Sequence, residues 1–259
     1  MTLKVGYVPY LHAEPFYFDM ERRGLELVEM LPNALAVAVE NGEIDAGPLP
    51  LVDGFRLQDR CEPVSGFGLA SVQKTGSVFL YASEPVEALQ EARIGVMAGA
   101  STSLWLLKVL LKLYYQVQPS AYVTLQEPHD AFLVIGNRAL RQRRGVRGFP
   151  HRYDLGESWH QWTGLPFVFS RWFVRQDVDA RDKALLEDTL YVALEDGVNA
   201  MYQLSSPREE LLMLPREVMQ YIQGFRYFLR MAEQRAIEHF QHCLKELPER
   251  TARKSWTKK

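Results

Sequence analysis

Residues 153–173 read YDLGESWHQWTGLPFVFSRWF. Asp154-Leu155-Gly156 reads as a turn, and the Trp-rich run behind it as a short helix. Thr163-Gly164-Leu165-Pro166 then punctuates the chain before an apolar strand, expected over Pro166–Val174. Near Val174 the chain leaves one α/β unit and rejoins another, so this stretch sets the architecture.

The N-terminal side supplies the first unit. Strand patterns at Leu3–Val8, Leu25–Met30 and Ile44–Leu49 alternate with helical patterns at Glu14–Glu21, Asn33–Asn41 and Leu51–Leu57. Pro15 stands near one helix start, and Gly42 follows another helix as its C-terminal residue. This β-α-β-α-β order predicts a mostly parallel sheet. The second unit holds strand patterns at Phe67–Val72 and Ser77–Ser83, with a turn at Lys74-Thr75-Gly76. Pro85–Leu89 follows as a short helix, then the strand Arg93–Val96, the amphipathic helix Ser101–Tyr115 and the strand Val123–Leu125. Asp130–Gly136 is almost uninterruptedly apolar, as in a strand covered on both faces, and Asn137–Arg144 is helical. From Asp179 onward the periodicity is helical throughout, over 184–205, 216–230 and 233–247, before the basic tail TARKSWTKK, expected to fray. The resulting expectation is an α/β protein of two lobes, each a mixed sheet flanked by helices. One lobe is 1–83 plus 175–259, the other 84–174, with a ligand cleft between them at strand C-termini and helix N-termini.

Composition narrows the class of function. The chain has 259 residues and a formal net charge of -2, which calls for neither nucleic acid nor an anionic membrane as partner. The basic run Arg138, Arg141, Arg143, Arg144 and Arg147 is a local exception, either a solvated helix end or an anion-attracting rim. The two cysteines, Cys61 and Cys243, form no metal spacing and no disulfide framework. The opening MTLKVGYVPYLHAEP has no apolar signal core, and no stretch has the length of a membrane span, so a cytoplasmic setting with reduced thiols is expected. His239 and His242 are spaced as a helix face rather than as metal ligands, and no metal or cofactor motif stands out.

Four loops could carry chemistry. In Pro9–Pro15, His12 is a general acid or base, a donor to an anion, or a structural helix cap. In Gly47-Pro48-Leu49-Pro50, Leu49 belongs to a rigid segment that is either a cleft wall or a plain strand-to-helix turn. Ser77, after Thr75-Gly76, and Thr102 and Ser103, after Gly99-Ala100-Ser101, supply hydroxyls in small-residue loops, the second of which opens a helix; there hydroxyls and free N–H groups either hold a carboxylate or phosphate or make a plain helix N-cap. Gly136 permits close backbone approach, and Asn137 can pair with a ligand hydroxyl or carboxylate or cap its helix.

Six blocks, in order, resemble the chorismate dehydratases of menaquinone biosynthesis by the futalosine route. They are VGYVPYLHAEPFYF, NGEIDAGPLPLV, SVFLYASEPVEAL, STSLWLLKVLL, FLVIGNRAL and YDLGESWHQWTGLPFVFSRWFVR. The resemblance implies a periplasmic-binding-protein type II fold and a cofactor-free hydro-lyase that takes chorismate to 3-enolpyruvylbenzoate. It further implies that Ser77, Thr102 and Ser103 hold substrate carboxylates and that Gly136 lets the ligand reach the backbone. Three positions depart from the family pattern. His12 stands where the family has a substrate-facing Asn, Asn137 where it has Asp, and Arg171 where an apolar residue is usual. A cleft-facing Arg171 would bind a carboxylate bidentately, whereas an outward one would be a surface residue. The rival readings are a non-catalytic binding protein for a small aromatic or dicarboxylic acid, and a related lyase with another substrate. Either way the partner is a small carboxylate, and the motifs leave the oligomeric state open.

Overall fold

In the computed structural model, which describes residues 2–247, the first strand β1 (Lys4–Tyr7) leads into a tight 3-10 helix at Leu11–Tyr17. The helix expected at Glu14–Glu21 therefore starts earlier and winds more tightly, with Pro15 inside it removing an amide donor. The unit continues through β2 (Glu26–Glu29), α1 (Pro32–Glu40), β3 (Ala46–Pro50) and α2 (Leu51–Arg56) to the long strand β4 (Cys61–Ser71). β4 begins well before Phe67, where the apolar pattern becomes continuous.

The chain then forms β5 (Val78–Ala82), β6 (Arg93–Val96) and α3 (Ser101–Val109), whose last turns widen into a π-helical segment at Leu110–Tyr114. β7 (Ala121–Thr124), β8 (Ala131–Ile135), α4 (Gly136–Gln142), β9 (His151–Asp154) and α5 (Leu155–Thr163) follow. All five residues of β8 are buried, as its apolar run predicts. β9 hides in the sequence because His151-Arg152-Tyr153-Asp154 is polar: it is the edge strand beside β5. The return strand β10 (Phe167–Arg175) leads to α6 (Ala180–Tyr202), α7 (Pro215–Gln223), β11 (Phe225–Phe228) and α8 (Met231–Lys245).

Two sheets result, in the orders β11-β4-β10-β3-β1-β2 and β7-β6-β8-β5-β9. The boundaries drawn at Ser83 and Val174 do not coincide with them. β5 pairs with β8 and β9 in the five-stranded sheet, and β10 lies between β4 and β3 in the six-stranded one. The chain thus crosses between the sheets once between Ser71 and Val78 and again between Asp154 and Phe167, ahead of each expected boundary. The continuous helix expected over 216–230 is also corrected. α7 stops at Gln223, and Phe225–Phe228 adds antiparallel to β4, whose edge offers ladder partners that local periodicity cannot reveal. The basic tail lies outside the described residues.

The 153–173 stretch ties this together. Asp154 is the N-cap of α5, accepting from Gly156 N at 2.9 Å and Glu157 N at 3.2 Å. Gly164 ends the helix in the left-handed region at φ 71°. Trp159 of α5 is fully buried against Phe167 of β10 and Phe240 of α8, and its indole N–H donates to Pro166 O at 3.0 Å. Deleting so large a buried ring costs about 3–5 kcal/mol, so this helix-to-strand hinge is a stability centre. One apolar cluster runs through residues of both sheets.

Candidate functional site

A cavity opens where strand ends of the two sheets meet. The six-stranded sheet contributes Tyr10, His12 and Phe16 from the segment after β1, Pro48 and Pro50 of β3, Phe169 and Ser170 of β10, and Phe225 of β11. The five-stranded sheet and its helices contribute Ser77, Ser101, Thr102, Ser103, Ile135 and Gly136. Among the described residues the lining includes no Asp, Glu, Lys or Arg. An anion here would be held by neutral donors.

Those donors sit on defined elements. Thr102 and Ser103 lie in the first turn of α3, where backbone N–H groups have no earlier turn to bond. Ser101 is committed elsewhere: its hydroxyl donates to Asp53 on α2 at 2.6 Å. Ser77 precedes β5 and is placed by the turn before it. Asp154 accepts from Thr75 N at 2.9 and 3.0 Å, Thr75 Oγ1 at 3.0 Å and Gly76 N at 2.7 Å. The same carboxylate that caps α5 therefore folds the turn that presents Ser77.

Gly136 has φ 59°, and a Cβ built on it would stand 2.9 Å from the Tyr10 ring. Glycine alone satisfies both the left-handed backbone and the close ring contact. Tyr10 itself is buried, lines the cavity, and its hydroxyl has no hydrogen-bond partner.

His12 stands at the centre of the aromatic wall, with ring centroids 5.6 Å from Tyr10 and 5.4 Å from Phe225. Its Nδ1 is 2.8 Å from the hydroxyl of Tyr221, which donates to Ser77 Oγ at 2.7 Å. Burial pushes the His12 pKa down to about 4, so the imidazole is neutral at neutral pH. Burial likewise drives the Tyr221 phenol up, keeping it protonated. Tyr221 comes from α7, a helix read from sequence only for its apolar spacing. The signal that could have found it is a phenol at a core position, which needs a partner when buried.

The structure brings His12, Ser77, Thr102, Ser103 and Gly136 to one cavity. It does not bring the other three expected residues there. Leu49 points into the core with no exposure, while its neighbours Pro48 and Pro50 line the cavity, as the period of two along β3 requires. Arg171 lies beyond an irregularity in the β10–β4 register between Val168 and Ser170, which leaves Phe169 unpaired with β4 and lets both Phe169 and Ser170 line the cavity. Arg171 instead donates to Ser65 O at 3.2 Å. Asn137 spends its carboxamide on the loop before His12, with Nδ2 donating to Pro9 O at 2.9 Å. The basic run is not a rim of this cavity either. Arg143 donates to Leu211 O at 3.2 Å and to Glu217 at 2.8 Å, and Arg141 to Glu210 O at 3.5 Å, so it clasps the approach to α7.

Among the described residues no group of three or more His, Cys, Asp or Glu could hold a metal ion, and no helix is long and apolar enough to cross a membrane.

The chain belongs to the menaquinone biosynthesis family, whose sequence profile matches residues 3–246. It is 24% identical over 260 residues to a chorismate dehydratase of Thermus thermophilus, covering 93% of this chain and 94% of that one. Protein AF1704 of Archaeoglobus fulgidus superposes with a TM-score of 0.72 at 15% identity, over 94% of this chain and 97% of its own. The periplasmic aliphatic sulphonate binding protein SsuA of Escherichia coli does so with a TM-score of 0.60 at 14% identity, over 97% and 93% respectively. The fold is that of the periplasmic binding proteins.

Proposed function

We propose that this protein is a chorismate dehydratase-like hydro-lyase, forming 3-enolpyruvylbenzoate for menaquinone biosynthesis. The observation that carries the reading is the placement of a neutral His12 across one cavity from the hydroxyls and free N–H groups that open α3. Family membership and the dehydratase relative support it.

In this reading Thr102, Ser103 and the first-turn N–H groups of α3 hold one carboxylate, and Ser77 the other, by charge-assisted hydrogen bonds. Gly136 lets the ring approach the backbone, and the walls of Tyr10, Phe16 and Phe169 exclude water from it. Dehydration removes one C–H proton and the neighbouring ring hydroxyl, and the ring becomes aromatic. His12 Nε2 receives the proton and returns it to the departing hydroxyl, so water leaves and the imidazole is neutral again. Burial alone makes His12 a weak base, and the charge of a bound dianion raises its basicity at the moment it is needed. No cofactor enters these steps.

The test is to incubate purified protein with chorismate and follow loss of its absorbance, with 3-enolpyruvylbenzoate identified by mass spectrometry. Turnover supports the lyase. The second reading, a non-catalytic binder of a small aromatic or dicarboxylic acid, is favoured by His12 standing in the family's Asn position. Thermal stabilisation by chorismate without turnover selects it, above all if His12→Asn then gains activity.

A further inference from the structure

We infer that Tyr221 is the positioning residue of this site: it accepts the Nδ1–H of His12, donates to Ser77 Oγ, and thereby leaves His12 Nε2 unprotonated and open to the ligand. The inference rests on the reading in which Ser77 donates to a substrate carboxylate. Proton counting then gives the direction. Ser77 has one hydroxyl hydrogen, and if that hydrogen goes to the ligand, Oγ must accept from Tyr221. The single phenolic hydrogen of Tyr221 is then used, so its oxygen can only accept from His12. A neutral imidazole that donates at Nδ1 carries its lone pair at Nε2.

The geometry around Tyr221 suits a fixed post rather than an adaptable side chain. Its residue is buried, and its ring meets Phe225 edge-on at 5.1 Å. A Cβ on Gly76 would come within 3.4 Å of the ring, so the turn before Ser77 packs directly on it. Further up α7, Glu217 accepts from Leu214 N at 2.9 Å and pairs with Arg143 at 2.8 Å, anchoring the helix to the end of α4. Tyr221 is therefore bonded to one residue beside each sheet, His12 after β1 and Ser77 before β5. Its hydroxyl couples the group proposed to move the proton to a group proposed to bind the anion.

The experiment is nitrogen-15 NMR of the imidazoles at pH 7.5 with benzoate present as the carboxylate probe, on wild type and Tyr221→Phe, with the His12 signals assigned by their absence from His12→Gln. The expected result is a neutral Nδ1–H tautomer for His12 in wild type and a shift toward Nε2–H in Tyr221→Phe. With chorismate as substrate, Tyr221→Phe should lose at least tenfold in kcat while circular dichroism stays that of wild type. An Nε2–H tautomer in wild type, or a tautomer and kcat unmoved by Tyr221→Phe, overturns the inference. Wild type that shows the Nδ1–H tautomer but no dehydration of chorismate supports the positioning role and sinks the functional reading instead.

Discussion

The side-chain carboxamide of Asn137 is bonded to the backbone on both sides of Tyr10: Oδ1 accepts from Leu11 N at 3.0 Å and Nδ2 donates to Pro9 O at 2.9 Å. A residue at the start of α4, beside the five-stranded sheet, thus fixes the loop after β1 of the other sheet that carries Tyr10 and His12. Asn137→Ala strands a donor and an acceptor and should cost about 1–3 kcal/mol. Asn137→Asp keeps the contact to Leu11 but turns a carboxylate oxygen toward Pro9 O, so it should destabilise as well. Denaturant melts measure both, and faster hydrogen exchange at Leu11 would localise the effect to the loop.

Gly136→Ala places a methyl group 2.9 Å from the Tyr10 ring at a φ of 59°. The left-handed backbone alone costs about 1 kcal/mol for a residue with a Cβ. The ring must also move, and it forms part of the cavity wall. Thermal melting should drop, and ligand binding by calorimetry should weaken by more than the stability loss suggests. Unchanged affinity would mean that Tyr10 is not part of the binding surface.

The pH dependence of stability follows from His12. Its folded-state pKa of about 4 lies below the ordinary value of 6.5 because burial disfavours the cation. The unfolded chain therefore takes up this proton at higher pH than the folded one. The contribution to stability is complete above pH 6.5 and is lost as pH falls toward 4, at no more than about 1.4 kcal/mol per pH unit. Comparing chemical melts of wild type and His12→Asn cancels the other titrating groups. The difference should narrow or reverse in favour of the variant across that window, and parallel curves would show that His12 is not buried in its neutral form.

Asp154→Asn tests the hub beneath Ser77. The carboxylate accepts from Thr75, Gly76, Gly156 and Glu157 amides and from the Thr75 hydroxyl. An amide replaces one acceptor oxygen with a donor that faces other donors, so a loss of about 2 kcal/mol or more is expected. Because the turn at Thr75-Gly76 presents Ser77, affinity for a carboxylate ligand should fall together with the melting temperature.

The sequence by itself determined what depends on near neighbours. The apolar run of β8 and the small-residue opening of α3 are local patterns, and each became the expected element. Residues whose backbone position makes them cavity-lining, such as Gly136 and the pair Thr102 and Ser103, were legible for the same reason. Tertiary structure alone decided matters set by long-range pairing. Two crossings placed β5 and β10 on the far side of the boundaries drawn at Ser83 and Val174, because sheet membership depends on which edge a strand finds. The free edge of β4 drew Phe225–Phe228 out of a helical pattern. A register irregularity turned Arg171 away, the pleat turned Leu49 into the core, and Asn137 found backbone partners more than a hundred residues away in the chain. Tyr221 reached His12 by the same kind of encounter. A buried polar group must find a partner, but only the packed chain determines which one.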